Sequence, residues 1–300
     1  MYTTWNVFSK IYLYPSFIKQ QNLWRKSFYM KNLIYDRVAQ KLSAYNFNYS
    51  ILFKNLTSLE TITWCHNSPL EKATFPSAST IKIFIAIEAF NQINKELIFE
   101  DDIILLDDTM KVGGSGILSS YSNNSEISIK KLIYLMMAES DNTATNILID
   151  ILDINNINTT INKLLCKNSA LNRKMMDFDS IKKGIDNYTS ALDLAIVLEK
   201  LYTNSCINKK YDTLILNIMK DCTNNSKIPS KLPSHIKISH KTGELDYIEN
   251  DAGIIFTPYG DYILIILTEG YNNSVEIQAI SEISKIIYDS YSLLNNSKLS

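Results

Sequence analysis

Apolar residues change their spacing along this chain, and each change predicts a different element. Ile34, Val38, Leu42 and Tyr45 recur at helical spacing, with Leu33 alongside, which predicts a surface helix from Leu33 to about Tyr45. Asn48–Phe53 and Glu60–Cys65 read as a strand hairpin joined through Asn-Leu-Thr-Ser. The run from Ile81 to Phe90 is apolar nearly all round, the mark of a buried helix, and opens a long, mostly helical middle. Further helices are predicted over Ile129–Glu139, Thr143–Leu152 and Ala191–Tyr202, with a polar connection over 169–190. After Pro229 and Pro233 the pattern turns to β-branched runs at Ile236–Thr242, Asp251–Phe256 and Tyr262–Thr268, and Val275–Leu294 closes the chain as a helix. Strands at both ends around a helical middle predict an α/β fold: one antiparallel sheet built from both chain ends and flanked by helices, with an all-α insertion. The expected α/β part covers about 30–68 and 230–300, and the all-α part about 69–229.

Composition narrows the function. Hydrophobic residues make up 46% of the 300 positions and charged residues 20%, so the chain is globular with an ample core. A net charge of −1 gives no electrostatic case for nucleic acid or an anionic membrane. No apolar run approaches the roughly 18–20 residues of a membrane span. Cys65, Cys166, Cys206 and Cys222 lie far apart without metal-ligand spacing, and His66, His235 and His240 form no HExxH pattern, so neither a metal nor an organic cofactor is expected. Residues 1–29 scatter aromatics among polar residues without a secretory pattern, and Met30 begins a clean amphipathic stretch. They read as an extension outside the core of a cytoplasmic monomer, with the catalytic domain over 30–300.

The chemistry concentrates where the buried helix begins. Pro76, Ser77 and Ser79 are helix-start signals, and Lys82 follows Ser79 by three residues. Positions i and i+3 are helix neighbours, so the Lys82 amine can reach the Ser79 hydroxyl. The first-turn amides lack partners and carry partial positive charge. Alone the pattern is weak: Ser-x-x-Lys starts at Ser16, Ser79, Ser128, Ser180 and Ser234. The bland reading of each is a capping serine with a lysine reaching solvent. Only Ser79 opens an apolar helix.

Two more motifs follow in order. Ser140-Asp141-Asn142 begins 61 residues after Ser79, and Lys241-Thr242-Gly243 begins 101 residues after Ser140. Ser-x-x-Lys, Ser-Asp-Asn and Lys-Thr-Gly are the set of class A β-lactamases and penicillin-binding proteins. In order, spacing and context, residues 31–295 resemble the class A β-lactamase family of penicillin-recognising serine hydrolases. The resemblance implies opening of a β-lactam or related amide or ester, a small molecule, through a Ser79 acyl-enzyme. It implies Lys82 as base, Ser140 and Lys241 as the proton path to the leaving nitrogen, and Asn142, Thr242, Gly243 and Glu244 around the substrate. The oxyanion hole falls to the amides of Ser79 and Glu244. Asp141 is expected to cap the following helix, and Gly243 reads equally as an allowance for close strand approach.

Two departures bear on activity. The family frees its acyl-enzyme with a loop glutamate, yet no glutamate occurs between Glu139 and Glu199. The candidates are Asp177 and Asp179, one methylene shorter; Asp177 is favoured as base, and at least one of the two is expected to pair with Arg173. The second departure is the strand arginine that holds substrate carboxylates in many members, because the last arginine here is Arg173. Alternation instead places Glu244 beside Thr242. The alternative reading is a slowly deacylating β-lactam-binding protein, or an esterase or peptidase on the same scaffold.

Overall fold

A computed structural model describes residues 31–296; the reading of 1–29 as an extension falls outside them. Helix α1 (31–42) leads into the hairpin β1 (Asn48–Asn55) and β2 (Thr61–Cys65). Then come the two-residue strand β3 (Phe75–Pro76), α2 (Lys82–Asn94), and the short pair β4 (Ile103–Leu105) and β5 (Glu126–Ser128). Helices α3 (Ile129–Ala138), α4 (Asn142–Leu152), α5 (Ile154–Lys163) and α6 (Phe178–Lys182) follow, then β6 (Tyr188–Thr189), α7 (Ala191–Tyr202) and α8 (Lys209–Lys220). Strands β7 (Lys237–Leu245), β8 (Ile248–Phe256) and β9 (Tyr262–Glu269) precede the closing helix α9 (Asn273–Asn296).

The main sheet has the order β2-β1-β9-β8-β7, and every pairing is antiparallel. The sheet draws strands from both chain ends, as the strand pattern predicted, and the first and last strands in sequence pair within it. Alternation then divides its side chains between two cores. Phe53, Leu264 and Ile266 pack with Ile34 and Val38 of α1 and Ile280 and Ile283 of α9. Leu52, Ile263, Ile265 and Leu267 face the helical insertion, joining α2, α3, α4 and α7. Strand β9 lies between β1 and β8 and is buried on both faces, which is why Tyr262–Leu267 is apolar without interruption.

Helix α2 is the axis of the helical part. Lys82 to Phe90 is buried without a break, as its all-round apolar pattern required. Its one carboxylate, Glu88, is satisfied internally by Thr160 at 2.5 Å and Gln92 at 2.8 Å. A helix fixed on all sides gives the residues at its N-terminus fixed positions.

Candidate active site

Three segments from distant parts of the chain converge at the start of α2. The first is the 3-10 turn Ala78–Ile81, which carries Ser79 and runs directly into the helix. Pro76 pairs with Tyr188 in β3–β6 rather than starting the helix, so Ser79 lies inside a turn and does not cap. Ala78 (φ 46°) and Ser140 (φ 54°) both hold the left-handed conformation, which costs a non-glycine residue on the order of 1 kcal/mol or more. Surrounding contacts must therefore impose it.

The turn is pressed against β7. A Cβ on Gly243 would lie 2.9 Å from the Ser77 carbonyl oxygen and 3.1 Å from the Ser79 nitrogen, both backbone atoms. Close approach is thus what Gly243 permits, and it brings the backbone of β7 alongside the Ser79 amide. Two buried side chains clamp the arrangement from behind. Asn250 donates to the carbonyls of Pro76 (2.9 Å) and Ser77 (3.3 Å). Lys227 donates to the Gly243 carbonyl at 2.9 Å and pairs with Glu249, all of it out of solvent. No sequence signal marked Lys227 or Asn250, because only the folded sheet brings them here.

The second segment is Ser140-Asp141-Asn142, between α3 and α4. Asp141 does cap α4, accepting from the Ala144 amide at 2.8 Å. Its other oxygen accepts from Ile117 and Leu118, each at 2.7 Å, anchoring the 113–118 loop. That loop then edges the cleft through Gly114 and Ser115.

Lys82 is fully buried, and its Nζ donates to the Ser140 carbonyl (2.6 Å), the Asn142 Oδ1 (2.9 Å) and the Ser140 Oγ (3.3 Å). The expected reach to Ser79 is not among these bonds; Lys82 bridges to the second segment instead. Burial, reinforced by the charge of Lys241, holds its amine well below the ordinary lysine range. The third segment, β7, delivers Lys241, whose Nζ donates to the Ser140 Oγ at 3.0 Å and the Thr242 carbonyl at 3.0 Å. Burial also lowers Lys241, to about 8. Two desolvated lysines thus meet on one serine hydroxyl.

Ser79, Asn142 and Glu244 line a cleft of about 140 Å³, whose far wall is the loop that carries Arg173, Met175 and Met176. The loop is rigidly tied. Arg173 pairs with Asp186 at 2.7 Å, and Asn146 brackets Met175, accepting from its amide (2.8 Å) and donating to its carbonyl (3.1 Å). This corrects the expected pairing of Arg173 with Asp177 or Asp179. Asp179 meets Lys182 in solvent. Asp177 caps α6, with its oxygens accepting from the Ser180 amide (3.0 Å) and hydroxyl (2.7 Å), and these bonds lower its proton affinity. It is not among the residues lining the cleft; Met175 and Met176 are. Glu244 is exposed at the rim, and Thr242 is buried one residue beyond Lys241.

Comparisons with known proteins bear on the fold and the family. The β-lactamase enzyme family matches over residues 33–291. A β-lactamase of Phocaeicola vulgatus is 26% identical over 238 residues, covering 72% of this chain and 74% of that protein. The crystal structure of a β-lactamase from Sphaerobacter thermophilus superposes with a TM-score of 0.78 at 27% identity, covering 87% of this chain and 98% of that one. PBP-A, with a mutant solved as an acyl-enzyme complex with penicillin G, superposes equally well at 25% identity, over 86% of this chain and 96% of its own. With its sheet, its helical insertion and 33–291 all accounted for, the chain belongs to the β-lactamase enzyme family.

Proposed function

We propose that this protein is a serine hydrolase that opens a β-lactam or related amide through an acyl-enzyme on Ser79 and frees the product slowly. The observation that carries the reading is the setting of Lys82, fully buried and hydrogen-bonded to Ser140 and Asn142, which favours the neutral amine. A neutral amine has two hydrogens and one lone pair, and its two shortest bonds, to the Ser140 carbonyl and Asn142, use both hydrogens. In that form the third contact, to Ser140 Oγ at 3.3 Å, is no longer a donation from nitrogen, and the lone pair can take the Ser79 proton. Ser79 Oγ then attacks the carbonyl carbon, and the carbonyl electrons pass to an oxyanion between the amides of Ser79 and Glu244, worth roughly 3 kcal/mol per donor. As the C–N bond breaks, the nitrogen takes the Ser140 proton. Lys82 returns the Ser79 proton to Ser140 across 3.3 Å, while Lys241 holds that hydroxyl at 3.0 Å. Asn142 and Thr242 bind the substrate flanks.

Release is less well provided for. A water that attacks the ester needs a base within about 3 Å, and among the described residues lining the cleft the one carboxylate belongs to Glu244, on the rim strand. Asp177, engaged by Ser180, is not assigned that role. Intact mass after brief and long exposure to a penicillin tests both halves: one acyl group per chain should form at once and persist. Rapid turnover with no adduct would refute slow release, and no adduct without turnover would refute the Ser79 acylation itself.

A further inference from the structure

A buried ion pair lies behind the site and takes no part in these steps. Lys227, in the connection before β7, is fully buried and is not among the residues lining the cleft. The next residue is fastened through both backbone groups: the Ile228 amide donates to Asp251 at 3.0 Å, and its carbonyl accepts from Ser284 at 2.9 Å. The Lys227 Nζ pairs with Glu249 and donates to the carbonyls of Gly243 at 2.9 Å and Asn250 at 3.3 Å. None of these three oxygens has a hydrogen to give, so every contact draws on the amine, and only the ammonium carries three hydrogens. Lys82 differs, because one of its three partners is a hydroxyl that can itself donate. Glu249 is held in turn by Asn273, which donates to it at 2.8 Å. Asn273 also brackets the β7–β8 turn through the Leu245 carbonyl (2.8 Å) and the Tyr247 amide (2.9 Å).

The register shows where this cation acts. Gly243 and Asn250 are cross-strand partners in β7 and β8. One nitrogen can reach both of their carbonyls only if both point into the space between the two strands. The Gly243 carbonyl belongs to the same peptide unit as the Glu244 amide, and in a trans peptide the C=O and N–H point in opposite directions. The Glu244 N–H therefore points away from β8. Strand β7 is the last of its sheet, so that direction is its open edge, where Ser79 and Glu244 line the cleft. The amide that serves as second oxyanion donor is thus the far end of the peptide that Lys227 grips. A cation on the carbonyl draws electron density from the N–H and strengthens it as a donor. Glu249 meanwhile matches the charge that a buried lysine would otherwise leave unpaired.

We infer that Lys227 is a positioning residue that orients and polarises the Gly243–Glu244 peptide for the oxyanion. Its effect on acylation rests on the function proposed above; its effect on the peptide does not. Gly-Glu occurs once in the sequence, at 243–244, so full-length protein labelled at glycine carbonyl carbons and glutamate nitrogens gives a single resonance for that peptide. Lys227→Met combined with Glu249→Gln removes both charges at nearly constant size and leaves neither buried alone. In that variant both nuclei should shift upfield, as a carbonyl does on losing a charged donor. Penicillin acylation should slow about tenfold, less than the loss of a whole oxyanion donor, and the half-saturating concentration should stay the same, because the oxyanion forms only beyond the ground state. In wild-type protein that also carries nitrogen-labelled lysine, a coupling across the hydrogen bond should link the Lys227 Nζ to the Gly243 carbonyl; this measurement needs no variant to fold. Unmoved resonances in the double variant, or no coupling in the wild type, overturn the inference even if acylation slows, since Lys227 would then be only a clamp. A higher half-saturating concentration without slower acylation overturns it too, by making the lysine a support for binding. Failure of penicillin to acylate the wild type would sink the functional reading and leave the peptide resonance to decide this one.

Discussion

On one wall of the cleft Ser79 sits in the turn that leads to Lys82, and buried hydrogen bonds of 2.6–3.3 Å draw Lys82, Ser140 and Lys241 together behind it. On the opposite wall the loop from Arg173 offers two thioethers and a guanidinium already paired with Asp186. Both walls are rigid, so the difference is not one of order. It lies in the groups presented: the first wall holds proton donors and acceptors in a desolvated setting, and the second holds nothing that can accept a proton from water. Rigidity and chemical competence are separate properties, and a site can be pre-organised for one half of a reaction alone.

The contrast can be broken most severely at the nucleophile. Ser79→Ala should abolish covalent labelling by a penicillin, read by intact mass, while the protein stays folded; labelling that survives would move the chemistry to another serine. The next largest effect should come from Lys82→Arg. Arginine keeps a cation in place but cannot surrender its proton, so acylation should fall about 10²–10⁴-fold in rapid-mixing kinetics if Lys82 is a base. A loss under about tenfold would make it only an electrostatic support.

Gly243→Ala probes the geometry that joins the walls. Its methyl group would meet backbone at 2.9 Å, and displacement of β7 from the Ser79 turn should slow acylation about 10²-fold. Normal acylation kinetics would show that the approach is looser than its contacts imply. On the loop wall, Met175→Glu and Met176→Glu test the missing base, and one of them should shorten the adduct lifetime by about tenfold or more. Asp177→Asn should leave that lifetime unchanged and, because asparagine caps a helix about as well as aspartate, leave the melting temperature nearly unchanged too. A lifetime that responds to Asp177 instead would restore the base role read from the sequence.

The smallest effect belongs to Glu244→Ala. Removing a rim anion is worth on the order of 1 kcal/mol toward a partly desolvated substrate carboxylate. Acylation by anionic β-lactams should improve several-fold, and that by neutral esters should not. Equal effects on both classes would show that Glu244 does not face the substrate carboxylate.

Much of this molecule was legible before folding. Runs rich in β-branched residues placed β7, β8 and β9, the nearly all-round apolar run of α2 announced burial, and Asp141 was recognisable as a cap because capping is local. Three motifs marked Ser79, Ser140 and Lys241 by type and order. The short strands β4 and β5 and the helices α5, α6 and α8 were not resolved individually within the helical middle, since short or strongly amphipathic pieces among many polar residues carry weak patterns. Tertiary structure alone decided which charges are buried and which groups they meet. Lys82 bridges to Ser140 and Asn142 rather than Ser79, Arg173 takes Asp186 rather than Asp177, and His240 joins Asp251. The physical reason is range. Periodicity and capping act over one or two turns of chain and are written in neighbouring residues. Desolvation and ion pairing depend on what lies within a few ångströms in space, and here Lys241 meets Ser140 from 101 residues away and Asn250 meets Pro76 from 174.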